Sequence, residues 1–121
     1  MILCAGEALI DFLPRKTVDG AMAYQPFCGG SVYNTAIALG RLGVPVGLYT
    51  GLSTDFFGDM LRDGLKASKV DLRYIKSWDR PSTLAFVKLT DGHARYSFFD
   101  DNSAGRMLTK RLMGKASFAT L

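Results

Sequence analysis

The chain has 121 residues, 48% of them hydrophobic and 21% charged, which suits one globular domain at most and excludes a disordered class. Its net charge of +4 is uneven: Lys110, Arg111 and Lys115 contribute +3, and the other 109 residues carry 12 basic and 11 acidic side chains. A body this balanced presents no nucleic-acid face, and two cysteines with one histidine exclude a disulfide framework and a zinc site.

The longest apolar runs are far too short for a membrane span, so no transmembrane helix and no membrane partner are expected. The N-terminal run MILCAGEALIDF has no basic segment before it and is broken early by acids, unlike a signal peptide. A cytoplasmic protein is expected. Cys4 and Cys28 then read as small buried hydrophobes in a reducing compartment.

Taken in order, Ile2 to Ala5 is a continuous apolar run, the pattern of a strand buried on both faces, and Gly6 closes it. Glu7 and Asp11 are four apart, so an extended segment puts both on one face. Glu7 is read as reaching solvent, and Asp11 as a carboxylate that accepts hydrogen bonds from substrate hydroxyls. Residues 12–28 are turn-rich, broken by Pro14 and by Asp19-Gly20, and Met22 to Cys28 returns as a strand. Gly29 and Gly30 allow positive φ and close approach to a ligand. Ser31 stands where a helix cap is suited, and Val32, Ala36 and Leu39 recur at helical spacing over 31–42. Gly43 and Pro45 end that helix. Its first-turn N–H groups beside a loop without side chains suit an anion or sugar hydroxyls, and the Asn34 amide can both donate and accept. The competing reading makes Gly-Gly a turn and Asn34 a surface residue.

Val46 to Tyr49 reads as a second apolar strand, 50–55 as a loop, and Asp55 as the N-cap of a helix carrying Phe57, Met60, Leu61 and Leu65. This β-α-β-α order predicts a parallel sheet with helices packed on it. Val70 to Lys76 reads as a short strand and 77–81 as a loop. Thr83 to Thr90, Asp91-Gly92 and Ala94 to Phe99 form a hairpin with a two-residue turn. A hairpin does not continue a parallel sheet, so it reads as a lid, with His93 exposed and the Phe98 and Phe99 pair in the core. No G-x-G-x-x-G follows the first strand, which excludes a dinucleotide-binding domain.

The set Gly6-Glu7…Asp11, Gly29-Gly30-x-x-x-Asn34-x-Ala36, Gly40…Gly43 and Gly51-x-x-x-Asp55-x-x-Gly58, followed by the hairpin and Asn102-Ser103-Ala104, resembles the ribokinase-like (PfkB) carbohydrate kinases. Within them the chain is most similar to bacterial fructokinases, over residues 1 to about 109. The resemblance implies an α/β fold: a mostly parallel sheet, helices on both sides, and a small β lid made of strands within about 12–28 and 83–99. It implies ATP-dependent transfer of a phosphoryl group to a sugar hydroxyl, with Mg2+ and with fructose or a related hexose as substrate. Asp11, Gly29, Gly30 and Asn34 would bind the sugar, and the lid residues Ala85 and Phe98 would line its pocket. A homodimer through the lid is a further expectation.

The chain also departs from the family pattern. Members are more than twice as long, and their general-base Asp, in a Gly-Ala-Gly-Asp stretch, lies in the second half with the ATP contacts. No Gly-x-Gly-Asp occurs here, and no Walker-type Gly-x-x-x-x-Gly-Lys. The expected protein is therefore an N-terminal fragment without a catalytic residue of its own, inactive alone. Residues 110–121 read as a divergent tail from a truncation or frameshift, or as a true C-terminus. The alternative is a non-catalytic sugar-binding or interaction module, although a parallel sheet cut after its first half leaves an open edge that favours aggregation.

Overall fold

A computed structural model describes residues 1–109 and 112. In chain order it contains β1 (Ile2–Ala5), β2 (Leu9–Lys16), β3 (Met22–Gly29), α1 (Ser31–Arg41), β4 (Val46–Ser53), α2 (Phe56–Ala67), β5 (Ile75–Trp78), β6 (Leu84–Thr90), β7 (His93–Phe99) and a 3-10 turn, Ala104–Met107. The proposed tail, residues 110–121, lies outside the described residues apart from Leu112.

The strands form two sheets. The first is parallel, in the order β1-β4-β5. Its central strand, β4, is buried at all eight positions. Val46, Leu48 and Leu52 alternate along it and pack with Tyr33 and Ala36 of α1 and Leu61 and Leu65 of α2. Both described helices therefore cover one face. On the other face Tyr49 Oη donates to Thr109 O, and a Cβ on Gly51 would strike Ala104 O.

Several expected boundaries shift, each for a reason of pairing. β1 is an edge strand with Ile2 half exposed, not one buried on both faces, because β4 is its only neighbour among the described residues. β4 runs on through Ser53, where a loop was expected at 50–55, because β5 pairs with 50–53. β5 itself is Ile75–Trp78 rather than 70–76. Lys69, at φ 62, reverses the chain after α2, and Val70 N–H bonds back to Leu65 O at 3.0 Å, so Val70 ends the helix instead of starting a strand. Ser31 is not the cap of α1: Gly30, at φ 105, holds that position without a side-chain bond. Asp55 does cap α2, accepting from Gly58 N–H at 2.9 Å, and Gly43 follows α1 at φ 82.

The second sheet has the order β3-β2-β6-β7, two antiparallel hairpins joined by a parallel pair. β2 continues through Pro14 instead of breaking there. The β2–β6 ladder ends at Phe12↔Phe86, so the missing Pro14 N–H falls beyond it, where it disrupts pairing least. The β6–β7 turn is Asp91-Gly92 at φ 51 and 78, both left-handed, as a two-residue hairpin of this twist requires. One face carries an aromatic cluster. Phe12 stacks on Phe86 (4.5 Å between centroids, 7°), Tyr24 and Phe99 meet Phe86 edge-on, and Phe57 of α2 meets Phe12 edge-on at 5.6 Å. These rings dock the second sheet onto the helix layer. Phe98 and Phe99 are not core residues: all of β7 is exposed, because it is the outer strand of this sheet.

Candidate functional site

β1 leaves the first sheet at Gly6, and after a two-residue bend β2 enters the second, with Ile10 N–H bonded to Thr83 O at 3.1 Å. Glu7 falls in that bend and is exposed, while Asp11 stands two residues inside β2 and is half-buried. The two acids therefore do not share one extended segment.

Asp11 lies in a cross-strand row that spans the sheet: Phe27 on β3, Asp11 on β2, Ala85 on β6 and Phe98 on β7. Directly paired residues point to the same face, so all four side chains share one surface. That face is opposite the aromatic cluster. Ala85 is fully buried, and Phe98 is 63% exposed. The Asp11 carboxylate reaches over Gly29, where a Cβ would collide with Oδ2. Gly30 follows at φ 105 with its missing Cβ 2.9 Å from Glu7 O, so any side chain there is both strained and blocked. One turn into α1, Asn34 donates its backbone N–H to Gly30 O at 2.8 Å and leaves its amide exposed. Asp11, Gly29, Ala85 and Phe98 thus lie on one face of the sheet, Gly30 follows Gly29, and Asn34 stands one turn into α1 with its side chain exposed.

The chemistry of this patch differs from that of the other half-buried acids. Among the described residues no donor bonds the Asp11 carboxylate, and burial pushes its pKa above the ordinary value. Asp55 and Asp100 move the other way. Burial alone would raise Asp55, but the Ser82 hydroxyl and the Gly58 and Ser82 N–H groups outweigh it and hold it low. At Asp100 the same penalty is outweighed by the Ser103 and Thr83 hydroxyls and by Arg106. A half-buried carboxylate with unused acceptor capacity, beside a helix start and an apolar floor, is equipped to take hydrogen bonds from a polar, uncharged ligand.

Sequence reasoning missed two features. Phe27 in the Asp11 row gives no motif signal, and only strand register reveals it. The brackets Asp55–Ser82 and Asp100–Thr83 join residues 27 and 17 positions apart, which no local pattern connects. Cys4 and Cys28 are half-buried, and Cys28 Sγ donates to Met60 O at 3.5 Å. No helix among the described residues is long and apolar enough to cross a membrane.

Residues 1–119 match the family model described as pfkB family carbohydrate kinase. A fructokinase of Rhizobium leguminosarum bv. trifolii is 54% identical over 109 residues, which is 90% of this chain and 33% of that protein. The crystal structure of a fructokinase with bound ATP from Xylella fastidiosa superposes with a TM-score of 0.82 at 34% identity, covering 88% of this chain and 35% of the other. The apo form of an E. coli protein described as a putative ribokinase II gives 0.81 at 27% identity, covering 92% and 38%. The fold is ribokinase-like, and the chain spans about a third of the length of the relatives it matches.

Proposed function

The chain belongs to the pfkB family of carbohydrate kinases, and from that footing we propose that it is the sugar-binding part of an ATP-dependent, fructokinase-like kinase. The observation that carries the reading is the unbonded Asp11 carboxylate, set over Gly29 in a row with Ala85 and Phe98. Asp11 accepts hydrogen bonds from two sugar hydroxyls, the Gly29-Gly30 backbone lets the ring come close, and the Asn34 amide takes a hydroxyl that must both donate and accept. The second sheet acts as the lid. A homodimer through that lid belongs to the same reading.

Fructose or a related neutral hexose suits the face better than a phosphorylated sugar. Arg95 lies on the opposite face of β7 from Phe98, Arg106 is paired to Asp100 at 2.8 Å, and Arg15, on the Asp11 face, is engaged with the Phe27 ring, Gln25 and Pro14 O. The related structure with bound ATP supports ATP as phosphoryl donor for the whole protein. No Gly-x-Gly-Asp stands in the sequence to supply a base and a phosphoryl-facing helix start. Phosphoryl transfer rests on positioning and charge stabilisation, so this chain binds sugar without turning it over.

Two measurements test this together: calorimetric titration with D-fructose, and a coupled assay for ADP release with fructose and Mg-ATP. Binding without turnover is expected. Turnover in the usual kinase range of roughly 1–100 s⁻¹ would overturn the inactivity of the chain, and absence of sugar binding would overturn its role. The other reading is a non-catalytic sugar-binding or interaction module paired with a separate chain. It predicts sugar binding without ATP and a stable monodisperse species on size-exclusion chromatography.

A further inference from the structure

The row that holds Asp11 ends in an aromatic ring on each side, Phe98 on β7 and Phe27 on β3. We propose that Phe27 is the second wall of the sugar pocket, facing Phe98 across Asp11 and Ala85, and that the two rings set the size of sugar admitted. The inference rests on the sugar-binding reading of this patch.

Phe27 is the direct antiparallel partner of Asp11, so its ring leaves the sheet on the carboxylate's side. It is 38% exposed, on the outer strand. A lone exposed aromatic needs no explanation, but this one stands beside a carboxylate with unused acceptors and is itself held in place. The Arg15 guanidinium lies over its ring, 5.6 Å from the centroid. Arg15 is tethered in turn, donating from Nε to Gln25 Oε1 at 3.2 Å and from Nη1 to Pro14 O at 2.9 Å. An anchored ring costs little ordering entropy when a ligand meets it.

The row has large side chains at its ends and a small one within it. Ala85, the smallest of its four side chains, lies buried between the carboxylate and Phe98, so no large side chain stands between the two aromatic ends. Phe27 and Phe98 are three strands apart, which at ~4.8 Å per strand puts their Cα atoms about 14 Å from each other. That gap suits one monosaccharide lying along the row better than two. A sugar ring has C–H faces as well as hydroxyls. The aromatic walls cover the C–H faces while Asp11 takes the hydroxyls, the division of labour usual in sites with apolar walls and few polar groups.

The test titrates the full chain and its Phe27→Ala and Phe27→Tyr variants with D-fructose, D-glucose and sucrose, each variant checked by its thermal transition. Phe27→Ala is expected to weaken fructose about tenfold, to keep the transition of the parent, and to improve sucrose relative to fructose. Phe27→Tyr, which keeps the wall, stays close to the parent. Unchanged fructose affinity in Phe27→Ala overturns the inference and leaves the sugar-binding reading standing. Equal weakening in both variants with a lowered transition makes Phe27 a structural residue and also overturns it. A parent chain that binds none of the three sugars overturns both readings.

Discussion

Asp11 holds a charge at a cost that the protein does not recover by internal bonding. Its pKa is raised by burial and no donor among the described residues meets it. A raised folded-state pKa means that stability is greatest below the unfolded value and declines as pH rises through the folded one. Asp11→Asn is therefore expected to raise the melting temperature at neutral pH, and the gain is expected to vanish in acid, where Asp11 is protonated. The same substitution is expected to weaken fructose by roughly 10- to 100-fold, the worth of a hydrogen bond to a charged group. For the parent, affinity should fall with acidification from a pH above the ordinary carboxylate range, and calorimetry from neutral pH down into that range checks it. Gly29→Ala probes the same carboxylate sterically. Its Cβ would displace Oδ2, so affinity should drop while Asp11→Asn/Gly29→Ala adds little further loss.

The hairpin β6–β7 is tied down at its base by two carboxylates. Asp55 caps α2 through Gly58 N–H and also accepts from the Ser82 N–H at 3.0 Å and hydroxyl at 2.7 Å, just before β6 starts. Asp100, just after β7 ends, accepts from Thr83 at 2.6 Å and Ser103 at 2.5 Å. One helix cap thus also fixes where the second sheet leaves the first. Asp55→Ala removes a cap and two charge-assisted bonds and should cost roughly 2–4 kcal/mol, measured by urea unfolding. Both carboxylates lie below their ordinary pKa, so the stability they contribute is full above the unfolded value and is lost as pH falls through the folded ones. Their contribution should begin to fall at the ordinary carboxylate pKa and be gone below it, and acid unfolding should shift towards neutral in Asp55→Ala.

As a molecule the chain carries, among its described residues, a four-stranded sheet and a three-stranded parallel sheet, over about a third of the length of its relatives. On the proposed reading the phosphoryl-transfer chemistry comes from the part of the relatives that this chain does not span, so joining that part to it should give turnover. A chimera of residues 1–109 with the remaining two thirds of the Rhizobium fructokinase is expected to phosphorylate fructose, since the two proteins are 54% identical over the shared part. Asp11→Asn in that chimera should lower kcat/KM by about the factor by which it weakens sugar binding in the chain alone. A chimera that folds but does not turn over would show that this chain's patch is not a kinase sugar site.

The parts legible from residues alone are those set by local chemistry. Asp91-Gly92 announces a left-handed two-residue turn because few other pairs tolerate it, Asp55 announces a cap, and Phe57, Met60, Leu61 and Leu65 recur at the helical period. Asp11, Gly29, Gly30 and Asn34 stand out in the sequence by their own chemistry as well as by a family pattern, and Ala85 and Phe98 by the family pattern alone. Pairing decided the rest. Whether Leu52 sits in a loop or a strand depends on β5 arriving beside it, and whether Phe98 is core or surface depends on no described strand lying beyond β7. Phe27 joins Asp11 only through a register set by a turn several residues away. A propensity belongs to one residue and can be read in place. A register or an edge belongs to two segments, and exists only once the chain has brought them together.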